Sequence, residues 1–192
     1  MKCKCILYIA MSTDGFIAGE NDNLDFLNPY QMDGEDYGYK NFTDSVSHII
    51  VGRKTFEVVQ GMGFPYHSDK IVYVITNSTI HSNNKNIIFY NGDLASLIKE
   101  IQSSSQMNIY CDGGAVLANS LLANDLIDEI ILSIIPITLK SGTLLFENGE
   151  TPEQFIQHKQ IDYTNGVIQK HYRDKGKIAE LKESSNDSFL SF

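Results

Sequence analysis

Apolar residues fall along this chain in two alternating rhythms: short β-branched runs, then stretches where they recur every third or fourth position. The first run, 3–11, predicts a strand, followed by a Ser12-Thr13-Asp14-Gly15 turn. Residues 16–19 lead into a long polar loop that ends near Asp33. That loop carries Phe26, Leu27, Pro29 and Tyr30, more apolar surface than a linker needs. Loops longer than about a dozen residues in compact domains usually act as lids or binding loops. Over 35–46 the spacing of Tyr39, Phe42 and Val46 predicts a helix, which Gly38 weakens. Residues 48–52 read as a strand, 54–60 as a short helix, and 61–65 (Gly-Met-Gly-Phe-Pro) as a breaker.

The second half repeats the pattern. Residues 71–76 (Ile-Val-Tyr-Val-Ile-Thr) form a dense buried strand, and 87–90 another. Leu94, Leu97, Ile98 and Ile101 keep helical spacing over 94–102. Strand then helix recurs at 107–111 and 115–123. Residues 128–136 are a strand that Pro136 ends, and 144–146 a short extended piece. Segments 155–163 and 167–173 flank Thr164-Asn165-Gly166, a hairpin signal because both residues of an Asn-Gly pair tolerate positive φ. The pattern predicts an α/β domain over 1–173 closed by an antiparallel C-terminal hairpin. Beyond it, 174–192 lose apolar periodicity and read as a polar tail, with room for one helical turn at 178–182.

Composition narrows the class. A length of 192 residues suits one domain, and 42% apolar residues excludes disorder of the whole chain. No apolar run reaches membrane-spanning length, and the start Met1-Lys2-Cys3-Lys4-Cys5 lacks the features of a signal peptide. A cytoplasmic protein with no membrane partner is expected. Three cysteines without a Cys-x-x-Cys pair, and five scattered histidines, predict neither a disulfide framework nor a metal site. Cys3 and Cys5 should share one strand face as small packing residues.

Two strand-to-helix turns carry candidate chemistry. Gly52 lets the backbone approach a ligand, and Arg53, Lys54 and Thr55 add charge and a donor at a helix start that already favours anions. A net charge of −9 argues against a nucleic-acid surface, which leaves a phosphate site or a solvated helix start. Asp112-Gly113-Gly114 precedes another helix, and its two glycines clear side chains from that N-terminus. Steric need alone also places glycine in such turns. Two such turns in one chain favour a dinucleotide phosphate site.

In order, Ser12-x-Asp14-Gly15-Phe16-Ile17-Ala18, Gly52-Arg53-Lys54-Thr55-Phe56-Glu57, Asp112-Gly113-Gly114, Leu126-Ile127-Asp128-Glu129-Ile130-x-Leu132 and Gly142-Thr143-x-Leu145-Phe146 resemble the dihydrofolate reductase-like superfamily. They look closest to its riboflavin-biosynthesis reductase branch and the stand-alone relatives of that branch, over about 4–173. The resemblance implies a three-layer fold with a mostly parallel sheet of about eight strands and flanking helices. It also implies NADPH as cofactor, a small heterocyclic substrate and a homodimer. Carried over, Gly52, Arg53, Lys54 and Thr55 would hold the 2′-phosphate and pyrophosphate, with Thr76, Asn77 and Ser78 flanking the adenosine phosphate. Gly113, Gly114, Ala115, Val116 and Leu117 would meet the pyrophosphate and nicotinamide side, and the backbone of Ala10 and Ile17 would line the nicotinamide pocket.

For the reaction itself, Asp36 stands where true dihydrofolate reductases carry a helix carboxylate. A partly buried acid there would keep its proton near neutrality for delivery to nitrogen. Asp33, Glu35 and Asp36 together equally suit a helix start, where the dipole favours acids. Asp14 reads as a turn former. Lys140 and Ser141 stand where the family commonly has glycine. The zinc deaminase motif often fused to this branch is absent from the chain. The expected activity is reduction of a C=N or C=O group in an aminopyrimidine riboside type of substrate. The alternatives are a dihydrofolate or pteridine reductase and a non-catalytic nucleotide-binding module.

Overall fold

The computed structural model describes residues 3–63, 66 and 68–178. Its strands are β1 (Cys5–Ser12), β2 (Phe16–Ala18), β3 (Val46–Gly52), β4 (Ile71–Ile75), β5 (Ile87–Tyr90), β6 (Asn108–Gly113), β7 (Glu129–Ile135), β8 (Thr143–Leu144), β9 (Phe155–Asp162) and β10 (Ile168–Asp174). The helices are α1 (Tyr39–Asp44), α2 (Arg53–Gly61), α3 (Leu94–Ser104) and α4 (Ala115–Ala123). Eight strands form one sheet in the order β5-β4-β3-β6-β1-β7-β10-β9. Every pairing from β5 across to β7 is parallel, and β10 lies antiparallel to both β7 and β9. β2 and β8 pair separately.

The path of the chain explains the layers. From β1 to β3 and β4 it steps toward the β5 edge; from β5 to β6 and β7 it steps back. Right-handed crossovers therefore put α1 and α2 on one face and α3 and α4 on the other. The core follows this division. Cys5, Leu7, Ile50, Ile109 and Cys111 pack with Leu97, Ile101, Leu117 and Leu121 of α3 and α4. Ile6, Ile49, Val51 and Tyr110 pack with Phe42 of α1 and Phe56 of α2. Alternation along β1 and β6 is what a sheet buried on both faces requires. The cysteines Cys3, Cys5 and Cys111 are free and buried in the α3/α4 layer.

Three expectations change. The helix expected over 35–46 shrinks to α1, because Tyr37 and Gly38 take left-handed φ values of 55° and 78°. The long loop is not open chain: it winds through two 3₁₀ turns, and Phe26 is buried against Ile135 and Val167. The packed domain also continues past Arg173. The Asp174 N–H donates to Asp128 O at 3.2 Å, that of Lys175 to Gln154 O at 2.9 Å, and Lys177 Nζ pairs with Asp128 Oδ1 at 3.0 Å. The rest of the expected polar tail, 179–192, lies outside the described residues. Among the described residues no helix is long and apolar enough to cross a membrane, and no cluster of acidic, cysteine or histidine side chains is arranged for a metal ion.

Candidate active site

A cleft of about 920 Å³ opens at the carboxyl ends of β1, β3, β4 and β6. Open parallel sheets bind ligands at this end of their strands. Here the two candidate turns meet. The Gly114 N–H donates to Thr55 Oγ1 at 2.8 Å, so the starts of α4 and α2 are tied to each other. A cis peptide joins Gly113 to Gly114. Gly113 has φ +86°, and a Cβ on Gly114 would lie 2.8 Å from Thr55 Oγ1. Both positions need glycine, the first for conformation and the second for space. Neither α2 nor α4 has a side-chain cap, whereas Asp93 caps α3 by accepting from the Ser96 N–H at 2.7 Å. The first N–H groups of α2 and α4 are therefore left for a ligand or solvent.

Of the cofactor-site residues inferred from the resemblance, all except Ser78 and Gly113 line this cleft. Ser78 is exposed and donates its N–H to Thr76 Oγ1 at 3.2 Å, while Gly113 is buried behind the surface that Gly114 presents. The two cations are engaged with carboxylates: Arg53 with Glu57 at 2.7 Å, Lys54 with Asp22 at 2.8 Å. Asp22 belongs to the long loop, which thereby reaches α2. Such exposed pairs are worth little and yield readily to a stronger anion.

Asp36 departs from the raised-pKa role. It is exposed and outside the cleft, and its carboxylate accepts the N–H groups of Lys40 and Gly38 at 2.9 Å each. Those bonds hold its pKa below the ordinary carboxylate value. The helix-start reading describes it. Asp14 likewise accepts from Ser12 Oγ and the N–H groups of Leu139 and Lys140, which outweigh its partial desolvation and leave its pKa lowered. It staples the β1–β2 turn to the chain after β7.

Two acids line the cleft: Asp22, paired with Lys54, and Asp112 at the end of β6. β6 runs two residues further than the sequence pattern suggests, and this places Asp112 on the same face as Tyr110. Burial pushes its pKa from 3.8 to about 6, although the Tyr110 hydroxyl, donating to Oδ1 at 2.5 Å, and the nearby Tyr66 hydroxyl offset part of the rise. Tyr8 and Tyr39 complete this part of the wall. Tyr8 stacks on Phe42 with ring centroids 4.7 Å apart. Its hydroxyl donates to Tyr37 O at 2.9 Å and accepts from the buried Gln169 amide at 3.1 Å. The one sequence sign of Asp112 was its place just before the glycine pair; its burial and its tyrosine partners come from distant elements.

The sheet order, the crossed helix layers and the cleft define a fold class, the dihydrofolate reductase-like fold. Within it, the chain belongs to the RibD C-terminal domain family, whose model matches residues 4–168. YwjB, an uncharacterized protein of Bacillus subtilis (strain 168), is 36% identical over 174 residues, covering 90% of this chain and 98% of its own. YyaP of the same organism, also uncharacterized, is 28% identical over 188 residues, 90% of this chain and 96% of its own. A crystal structure described as a riboflavin biosynthesis protein from Shewanella sp. PV-4 superposes with TM-score 0.79 at 27% identity, over 90% of this chain and 99% of that one. The dihydrofolate reductase of Enterococcus faecalis, solved with NADP(H) and RAB-propyl, shares the fold at TM-score 0.64 and 15% identity, over 91% and 99%.

Proposed function

We propose that the chain is an NADPH-dependent reductase that adds a hydride to a C=N or C=O group of a small heterocycle, of the aminopyrimidine riboside type used in riboflavin biosynthesis. The carrying observation is the pair of uncapped helix starts, α2 and α4, that open together on the cleft beside Arg53, Lys54 and Thr55. Free N–H groups and the positive ends of two helix dipoles favour a pyrophosphate, and the two cations suit a 2′-phosphate. Glycine at 114 keeps the approach open. This donor set fits the dinucleotide, and the cleft has room for it beside a small ring.

Bound NADPH supplies the hydride. The chain supplies placement and a proton. Ala10 and Ile17, at the β1 and β2 side of the cleft, would line the space for the reactive ring. Hydride addition to a C=N carbon leaves charge on nitrogen unless a proton arrives there. Asp112, with a pKa near 6, can carry that proton close to neutral pH. A non-catalytic nucleotide-binding module, the other reading, would bind NADPH without turnover. The homodimer belongs to the same proposal, and sedimentation equilibrium of the full chain tests it.

Titration of NADPH and NADH, read by nicotinamide fluorescence, tests the central reading. NADPH should bind at least about tenfold more tightly, the scale of one or two charge-assisted bonds. The Arg53→Ala, Lys54→Ala double variant should lose that preference. Equal affinities, or a preference that survives both substitutions, would overturn the proposal.

A further inference from the structure

The chain has three Asn-Gly pairs: Asn91-Gly92, Asn148-Gly149 and Asn165-Gly166. In such a pair the glycine has no side chain to shield its nitrogen from the asparagine amide. The structure separates the three. Asn165 Nδ2 donates to the Tyr37 hydroxyl at 2.6 Å, its Oδ1 accepts from the Val167 N–H at 3.3 Å, and the Gly166 N–H donates to Tyr163 O at 3.0 Å. The Gly149 N–H donates to Phe146 O at 2.9 Å. Among the described residues the Gly92 N–H donates to no acceptor, and the exposed Asn91 reaches only Thr79 Oγ1, at 3.5 Å. Packing requires glycine at 92, because a Cβ there would lie 2.5 Å from the Tyr90 hydroxyl. That hydroxyl is held by donating to Asp93 O at 2.9 Å, and the ring by an edge-to-face contact with Tyr73. Tyr90 O in turn accepts the Thr76 N–H at 3.0 Å, so Asn91 stands at the end of β4 and lines the cleft with Arg53, Thr76 and Asn77.

We propose that Asn91 is a self-modification site, and that the carboxylate formed there lowers the affinity of the cleft for NADPH. The cofactor half rests on the reductase reading; the chemistry does not. The Gly92 nitrogen loses its proton to solvent and attacks Asn91 Cγ. A bond forms between that nitrogen and Cγ, the bond from Cγ to Nδ2 breaks, and ammonia leaves. Water then opens the five-membered succinimide by adding to either ring carbonyl and breaking its bond to nitrogen. An aspartate or isoaspartate carboxylate is left where the amide stood, and nothing is oxidised or reduced. Water is the only co-reactant. Such a change puts a full negative charge where a neutral group was. In the reductase reading this end of the cleft, with Arg53, Thr76 and Asn77, belongs to the adenosine 2′-phosphate. The new charge opposes that group, and it disturbs NADH less because NADH lacks it.

The test ages the full chain at mildly alkaline pH and weighs the three Asn-Gly peptides by mass spectrometry after digestion. The peptide with Asn91 should show the amide-to-acid mass change before the other two. NADPH and NADH are then titrated calorimetrically into the fresh chain, the aged chain and Asn91→Asp, which carries the charge without ageing. The aged chain and Asn91→Asp should bind NADPH at least about fivefold more weakly than the fresh chain, the scale of one partly screened charge contact, with a smaller loss for NADH. Asn91→Gln, whose longer side chain does not close a five-membered ring, should keep its mass and its own NADPH affinity through the same ageing. Amide loss first at Asn148 or Asn165 would overturn the inference, as would an acid at 91 that leaves NADPH affinity unchanged. The two readings fail separately. A fresh chain that does not bind NADPH sinks the reductase reading and the cofactor half with it, while the peptide masses alone decide the chemistry at Asn91.

Discussion

Asp36 and Asp112 are the same residue type with opposite fates. Asp36 receives two backbone N–H groups in the open, so its charged form is favoured. Asp112 sits against phenols on a strand end, and burial favours its neutral form. The consequence for stability has a definite sign. Unfolded, Asp112 gives up its proton near 3.8; folded, it keeps it to about 6. Between those values the folded chain binds more protons, so this residue lowers stability as pH rises, and its full penalty is present above about 6. Asp112→Asn should therefore stabilise the cofactor-free chain at pH 7 by on the order of 2 kcal/mol, a gain that vanishes near pH 4. The same variant should lower turnover at least about tenfold, since a proton donor is gone. Thermal melts across pH beside steady-state rates check both effects. A variant less stable than its parent at pH 7 would show that the carboxylate is not strained by burial. Asp36→Asn should leave turnover alone, and Asp36→Ala should lower the melting temperature by removing the acceptor of the Gly38 and Lys40 N–H groups.

Between the elements, the β6–α4 turn does two separable jobs. Gly113 has φ +86°, with Ile9 Cδ1 at 3.1 Å from an added Cβ, so Gly113→Ala strains the backbone and crowds the core. Gly114 has φ −68°, and an added Cβ meets only the Thr55 hydroxyl. Gly114→Ala, which must displace the Thr55 hydroxyl and its 2.8 Å hydrogen bond, should cost less in melting temperature than Gly113→Ala yet weaken NADPH binding at least about tenfold, while Gly113→Ala should lower the melting temperature first. Calorimetry of both variants with a cofactor titration decides it; equal thermal losses with intact affinity would remove the turn from the site. The turn itself is legible in the sequence, because its glycines stand between a β-branched run and a helical period. So are the Asn165-Gly166 hairpin and the cationic start of α2. The extent of α1 is not legible, since its period continues upstream through Tyr37 and Gly38, whose left-handed backbone is set by the packing of the loop around them. Asp112 hides for a related reason. Nothing local says that β6 continues through it or that three tyrosines from α1, β6 and the chain beyond α2 will surround it.

At the scale of the whole molecule, the sheet must tie its antiparallel edge to its parallel centre, and Asp128 makes that connection. Its Oδ2 accepts the Cys5 N–H at 2.7 Å at the start of β1, and its Oδ1 pairs with Lys177 at 3.0 Å. Its carbonyl accepts from Asp174 at the end of β10. The pair is mostly withdrawn from water, with side chains 27% and 13% exposed for Lys177 and Asp128. Removing one partner of such a pair costs more than losing a surface ion pair, because the other charge stays buried. Two truncations of the chain separate the possible boundaries. Ended after Ile178, it retains Asp174, Lys175 and Lys177; ended after Arg173, it loses the Lys177 ammonium and two backbone hydrogen bonds that close the hairpin against β7 and Gln154. The shorter form should be less stable by about 3 kcal/mol, which for a domain of this size is a drop of about 6–12 °C in melting temperature. Lys177→Met in the full chain should reproduce part of that loss and leave NADPH binding unchanged, since neither Lys177 nor Asp128 reaches the cleft. Should the two truncated forms melt together, the domain ends at Arg173 and the contacts of Lys177 with Asp128 are dispensable.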